Sequence, residues 1–161
     1  IKSIWRYPEI LGEVTYELAN LCSGFSHIIG IETGGSPYAV LISQQLKLNL
    51  ILLRKQAKGA LEFLAGDVDG DGDFIIVDDV IATGNSMGRA INVLKKKKRN
   101  VKLVAIFSYG LDDEISTKNG VEVQHLYVVD DLLRTLPSDE SKILIQHISN
   151  YRNQILQKLK Q

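Results

Sequence analysis

One cysteine, Cys22, stands in the 161 residues, so no intrachain disulfide can form; a small buried hydrophobe in a reducing cytoplasm is the expected role for it. Neither sign of charge is in excess. Nineteen basic and nineteen acidic residues leave a formal net charge of zero, which argues against a general polyanion binder while allowing a local basic patch. No apolar run approaches the ~20 residues that span a bilayer, and no secretory signal opens the chain, which begins with Ile1. Internal repeats, low-complexity tracts and linker-like stretches are also missing, so one domain over residues 1–161 is expected. His27, His125 and His147 are scattered, and with a single cysteine they make no metal-ligand spacing. No Ser-His-Asp arrangement can be read from them.

What is present is an alternation of two periods. Pro8 opens a helical pattern over 9–22, with Ile10, Val14, Leu18 and Leu21 on one face. Short apolar runs over 27–31, 50–53, 74–77, 102–109 and 121–126 read as strands. Between and after them, helical patterns run from Pro37 to about Leu46, then over 86–99, 112–119 and 129–136, and a closing helix capped by Ser138 covers 139–159. Strands alternating with helices predict an α/β fold: an open, mostly parallel sheet with helices on both faces.

Residues 75–87, IIVDDVIATGNSM, carry the most chemistry. A β-branched run of the kind buried in parallel sheets delivers Asp78 and Asp79 to the strand's carboxyl end, where open α/β sheets place their ligands. Adjacent acids in so apolar a setting repel each other and call for a ligand: the vicinal hydroxyls of a ribose, or a magnesium ion beside it. Thr83, Gly84, Asn85 and Ser86 then offer backbone N–H groups and two hydroxyls at a helix N-terminus, an anion cradle. Together these describe a pocket for a ribose 5-phosphate. A second turn of small residues, Thr33-Gly34-Gly35-Ser36-Pro37, follows the first strand, where adjacent glycines let backbone approach an anion closely. Two cradles in one small domain suit a ligand phosphorylated at both ends. Arg54, Lys55 and Lys58 cluster on a segment without apolar partners and would neutralise a departing diphosphate.

The string around Asp78 resembles the phosphoribosyl-pyrophosphate (PRPP) motif of type I phosphoribosyltransferases, an apolar strand followed by Asp-Asp and Thr-Gly-x-Ser. Nearly the whole chain is similar to the orotate phosphoribosyltransferases. Residues 54–59, RKQAKG, resemble that family's flexible loop, 33–37 its pyrophosphate loop, and 104–111, VAIFSYGL, the strand after the motif helix. The resemblance implies transfer of a 5-phosphoribosyl group from PRPP to a nucleobase, orotate in the first instance, with Mg2+ bound mainly through PRPP. It implies a catalytic role for Lys58, ribose contacts from Asp78 and Asp79, and diphosphate contacts from Arg54, Lys55, Thr33, Gly34 and Gly35. Thr83, Gly84, Asn85 and Ser86 would hold the 5-phosphate, and Ala82 stands near the base. A homodimer is implied, with the loop covering PRPP from the neighbouring subunit, and no membrane or nucleic-acid partner. The family's N-terminal base-binding segment is expected to lie outside these 161 residues. The loop departs from the pattern: Gly59-Ala60-Leu61-Glu62-Phe63 replaces a histidine and several glycines, which predicts a stretch less free to swing, either helical or packed down.

Other readings carry different expectations. Residues 67–73, DVDGDGD, match the start of a calcium loop, but a strand follows where an exiting helix is required, so an acidic surface turn is expected. The basic run 95–99, KKKKR, sits at a helix C-terminus, where cations favour the dipole. A phosphoribosyltransferase for another base such as a purine, and a PRPP-binding regulator of nucleotide genes that touches nucleic acid through that basic run, are the alternatives.

Overall fold

The computed structural model describes residues 2–54 and 63–160. After a 3-10 turn over Lys2–Arg6, helix α1 (Pro8–Leu21) leads to β1 (His27–Ile31), α2 (Ser36–Leu46), β2 (Asn49–Leu53) and the two-residue β3 (Leu64–Ala65). Then come β4 (Phe74–Ile81), α3 (Asn85–Lys96), β5 (Val101–Ser108), α4 (Asp112–Asn119), β6 (Glu122–Val128), α5 (Val129–Arg134) and α6 (Ser138–Leu159). The strands form one sheet in the order β3-β2-β1-β4-β5-β6, parallel except for β3 on β2. Among the described residues no helix is long and apolar enough to cross a membrane.

Side chains alternate across a strand, so each apolar run supplies both faces of the sheet. On one face Ile28, Ile75, Val77, Val104 and Ile106 pack against Leu18 and Ala19 of α1 and Tyr38, Ala39 and Ile42 of α2. On the other, Ile29, Ile51, Ile76, Leu103 and Ala105 meet Met87, Ala90, Ile91 and Leu94 of α3, Ile115 of α4 and Ile155 of α6. Ile75 and Ile76 are adjacent in sequence, wholly buried and on opposite faces. Each contributes about 1.5–3 kcal/mol by leaving water. That double burial fixes the register of β4, because a slip of one residue would exchange the two faces.

Several boundaries differ from the sequence expectation, by one or two residues at β5, β6 and α5 and more instructively at three others. β4 continues four residues past Val77 through its pairing with β5, from Asp78↔Ala105 to Ile81↔Ser108. Helix α3 stops at Lys96 rather than near Arg99. Lys98 takes the left-handed conformation (φ 57°), its N–H bonds to the Lys95 carbonyl and that of Arg99 to the Leu94 carbonyl. This is a Schellman ending whose left-handed position is a lysine instead of the usual glycine, so composition did not reveal it. Finally, Pro137 occupies the N-cap position of α6, and Ser138 is already the first helical residue.

Candidate active site at the switch point of the sheet

From β1 the chain winds through α2 to β2 in one direction; from β4 it winds through α3 to β5 in the other. The two crossover helices lie on opposite faces. The reversal falls between the neighbouring strands β1 and β4, and the crevice at their carboxyl ends is where open α/β sheets bind ligands. Both small-residue turns leave from these two strands.

The first turn, after β1, contains a cis peptide between Glu32 and Thr33. Thr33 is exposed, while Gly34 and Gly35 are buried. Their lack of side chains is a packing requirement. A Cβ on Gly34 would lie 2.3 Å from the Asp79 carboxylate, and one on Gly35 would lie 2.0 Å from the Val77 carbonyl oxygen and 2.9 Å from Asp78 Cα. The turn therefore rests directly on the acid pair, and no larger residue fits between them.

Pairing of β1 with β4 ends at Gly30↔Val77, one residue before the acids. Asp78 and Asp79 thus do not end their strand, as the sequence suggested; they begin the part of β4 that β1 has left uncovered. Asp78 is 9% exposed and its Oδ1 accepts the Asp79 N–H at 2.9 Å. Asp79 is half-buried, with its carboxylate beside Gly34. Successive strand residues point to opposite faces, so the carboxylates diverge and repel each other less than adjacency in sequence implied. Among the described residues no three His, Cys, Asp or Glu side chains converge on one point. The Asp78 and Asp79 carboxylates are hard oxygen donors of the kind a magnesium ion takes.

The second turn, after β4, reaches α3 through Gly84 in the left-handed conformation (φ 68°). A side chain there would also meet Asn119 Nδ2 at 2.8 Å and Ile115 at 3.1 Å. The N-cap residue of α3, Gly84, has no side chain with which to cap it; Thr83 Oγ1 accepts the Asn85 N–H at 3.3 Å, and Asn85 and Ser86 are exposed at the helix start. The positive end of the helix dipole is thus left open to an anion. Ala82, half-buried, packs against the α3-side core. Arg54 and Ser86 line one cavity of about 130 Å³ with Ile31, Leu53 and Arg89. Lys55 and Lys58 lie outside the described residues. Arg89 was not anticipated; its one signal in sequence was a cation placed three residues after Ser86.

The two competing motifs engage each other. Lys97 pairs with Asp69 and Arg99 with Asp71, and the Arg99 guanidinium also donates to the Asp69 carbonyl. Lys95 donates to the Asn119 carbonyl at the end of α4. The acidic turn is therefore the counter-surface of the basic run, and the cations offered for nucleic acid are partly spent inside the molecule.

Residues 13–130 match the phosphoribosyl transferase domain family. Over 151 residues the chain is 30% identical to the orotate phosphoribosyltransferase of Staphylococcus epidermidis, spanning 88% of this chain and 74% of that one. It is 28% identical to that of Pyrobaculum islandicum, over 94% of this chain and 84% of its relative. The fold superposes on the crystal structure of orotate phosphoribosyltransferase from Aeropyrum pernix with a TM-score of 0.71 at 22% identity, covering 83% and 80% of the two chains. Adenine phosphoribosyltransferase from Leishmania tarentolae shares the fold at a TM-score of 0.65 and 19% identity, over 81% and 76%.

Proposed function

We infer the reaction from one premise: the chain belongs to the phosphoribosyl transferase domain family and, within it, to the orotate phosphoribosyltransferases. It transfers the 5-phosphoribosyl group of PRPP to orotate, giving orotidine 5′-monophosphate and pyrophosphate in pyrimidine nucleotide synthesis. The bond from ribose C1 to the diphosphate oxygen breaks, and a bond from C1 to the base nitrogen forms.

The observation that carries the site assignment is the seating of the Gly34-Gly35 turn on Asp78 and Asp79. A diphosphate held by the backbone N–H groups of Thr33 and Gly34, with that of Gly35 already bonded to the Ile31 carbonyl, lies beside carboxylates that take the ribose hydroxyls, and the 5-phosphate reaches residues 83–86. As the bond to diphosphate lengthens, positive charge grows on the sugar and negative charge on the leaving group. Asp78 and Asp79 tolerate the first, while Arg54, Lys55 and Lys58 neutralise the second. When bound, magnesium would be held chiefly through PRPP beside the Asp78–Asp79 pair and would supply further charge neutralisation at the diphosphate. A homodimer with the Lys58 segment acting across the interface, and a cytoplasmic location, belong to the same reading and rest on the family.

Incubation with PRPP, magnesium and each base in turn, with pyrophosphate release as the readout, tests it. Turnover with orotate is expected. Turnover with a purine alone reassigns the base, and PRPP binding without turnover of any base overturns the enzyme. Lys58→Ala should lower turnover far more than it weakens PRPP binding.

A further inference from the structure

Arg54 and Phe63 bracket residues 55–62; they are bonded to each other, and Phe63 is held to the helix that bears the phosphate turn. The Arg54 N–H donates to the Phe63 carbonyl at 2.7 Å, joining the two ends where β2 leaves and β3 begins. Phe63 packs against the α3-side core. The guanidinium of Arg89 lies over its ring, 3.8 Å from the centroid. A cation within about 6 Å of an aromatic face is held by the ring's quadrupole. Arg89 comes from α3, three residues beyond Ser86, and it shares the cavity of about 130 Å³ with Arg54 and Ser86.

We propose that Arg89 is a positioning residue. Stacked on Phe63, it ties the base of the cationic segment to the helix whose first turn cradles the 5-phosphate. The Arg54 charge offered to the leaving diphosphate then keeps a fixed relation to the bound sugar. This gives the unusual composition of the segment a purpose. Where a glycine-rich sequence would leave the second attachment loose, Phe63 supplies an aromatic face and Leu64 a strand residue. The inference rests on the phosphoribosyl-transfer reading, and the cation itself need not touch the substrate. Displacements of about 1 Å among groups acting on a transition state can cost on the order of 100-fold in rate, so even a partial loosening is measurable.

Arg89→Ala, Phe63→Leu, the double variant and Arg89→Lys test this through steady-state kinetics with PRPP and orotate, and through hydrogen exchange of the Arg54 amide. Each single loss should lower kcat on the order of 10-fold while KM for PRPP stays within about 3-fold, because the phosphate and ribose contacts are untouched. The double variant should be no slower than the slower single one, as for two members of one contact. Arg89→Lys, which keeps a cation over the ring, should recover most of the rate. Exchange at Arg54 should quicken on the order of 10-fold in Arg89→Ala, because its acceptor is the Phe63 carbonyl. Wild-type kcat in both single variants, losses that multiply, or an unchanged Arg54 amide would overturn the proposal. So would a rise in KM for PRPP at constant kcat, which would make Arg89 a phosphate ligand. If the wild-type protein turns over no base at all, the transfer reaction fails, and exchange at Arg54 alone then decides whether Arg89 anchors the segment.

Discussion

Gly34 and Gly35 are adjacent, yet alanine at the two positions should fail in different ways. Gly35 has an ordinary backbone conformation (φ −80°, ψ −24°), so alanine costs nothing there through torsion and acts only through contact. Its Cβ would stand 2.0 Å from the Val77 carbonyl oxygen, where carbon and oxygen settle near about 3.3 Å, so something must move by more than about 1 Å. The obstacle is the backbone of β4, pinned by β1 on one side and β5 on the other. Overpacking typically costs about 1–3 kcal/mol, and a rigid obstacle places Gly35→Ala at the upper end. For a domain of this size that lowers Tm by about 6–12 °C. At Gly34 the obstacle is the Asp79 carboxylate, 2.3 Å from the added carbon, which can rotate aside. Gly34→Ala should therefore melt close to wild type but carry its carboxylate in the wrong place. Losing a charge-assisted hydrogen bond costs about 1.5–3 kcal/mol, which weakens PRPP binding by about 10- to 100-fold. Calorimetric melting and titration with PRPP and magnesium measure the two effects separately. Gly35→Ala melting within about 1 °C of wild type, or Gly34→Ala binding PRPP normally, would refute the contact between turn and acid pair.

Three further outcomes can be measured. His27, 1% exposed and stacked on Phe74, has its pKa lowered from the usual 6.5 chiefly by burial, with Asp67 opposing and Arg99 reinforcing the shift. The unfolded chain takes up this proton first, so stability is full above pH 6.5 and declines as pH falls from there toward the folded-state value; denaturant titrations from pH 8 to 5 should show His27→Phe with a shallower decline than wild type. Burial pushes the Cys22 thiol up to about 12, so a thiol-reactive dye at pH 8 should label it only after denaturant unfolds the chain, and stoichiometric labelling of the native protein would contradict its place in the core. If the Lys58 segment acts on the partner's site, mixing inactive Lys58→Ala and Asp79→Asn proteins should restore about a quarter of wild-type activity through mixed dimers, whereas a segment acting on its own site would restore none.

Elements whose limits are set by local chemistry were legible in the sequence. The run 27–31 and the helix 112–119 have their expected bounds, because a β-branched run between turn residues and an acidic first turn followed by Gly120 need no distant partner to define them. The apolar faces of α1 and α3 were likewise readable from spacing alone. What failed to show were ends decided by partners. β4 outruns its apolar stretch because β5 goes on pairing with it past Val77. Helix α3 closes early through a left-handed Lys98, beside cations that meet an acidic turn 28 residues away. At the site, residue types and their spacing gave both turns and the acid pair. The interlock of Gly34 with Asp79 and the stack of Arg89 on Phe63 were hidden, since each joins segments far apart in the chain.

The sheet also explains why the donor of the sugar is easier to infer than its acceptor. The two turns leave from hydrogen-bonded neighbours, β1 and β4, whose axes are separated by about 4.8 Å, a spacing fixed by backbone pairing and insensitive to side chains. One cradle is thereby held at a set offset from the other, with the acid pair between them, so the scaffold matches a ribose carrying phosphate groups at both C1 and C5. The base bonds to C1 on the face opposite the leaving diphosphate and meets side chains and loops that the strand pairing does not dictate. On the reading proposed above, small residues in both turns and the acids on β4 make the sugar site, while base preference would follow Ala82 and its surroundings. Exchanging Ala82 for threonine should accordingly leave PRPP affinity within about 2-fold and change the KM for orotate by more than that, as expected when binding of one substrate alone is altered. An equal effect on both substrates would mean that the position belongs to the phosphate cradle and not to the base.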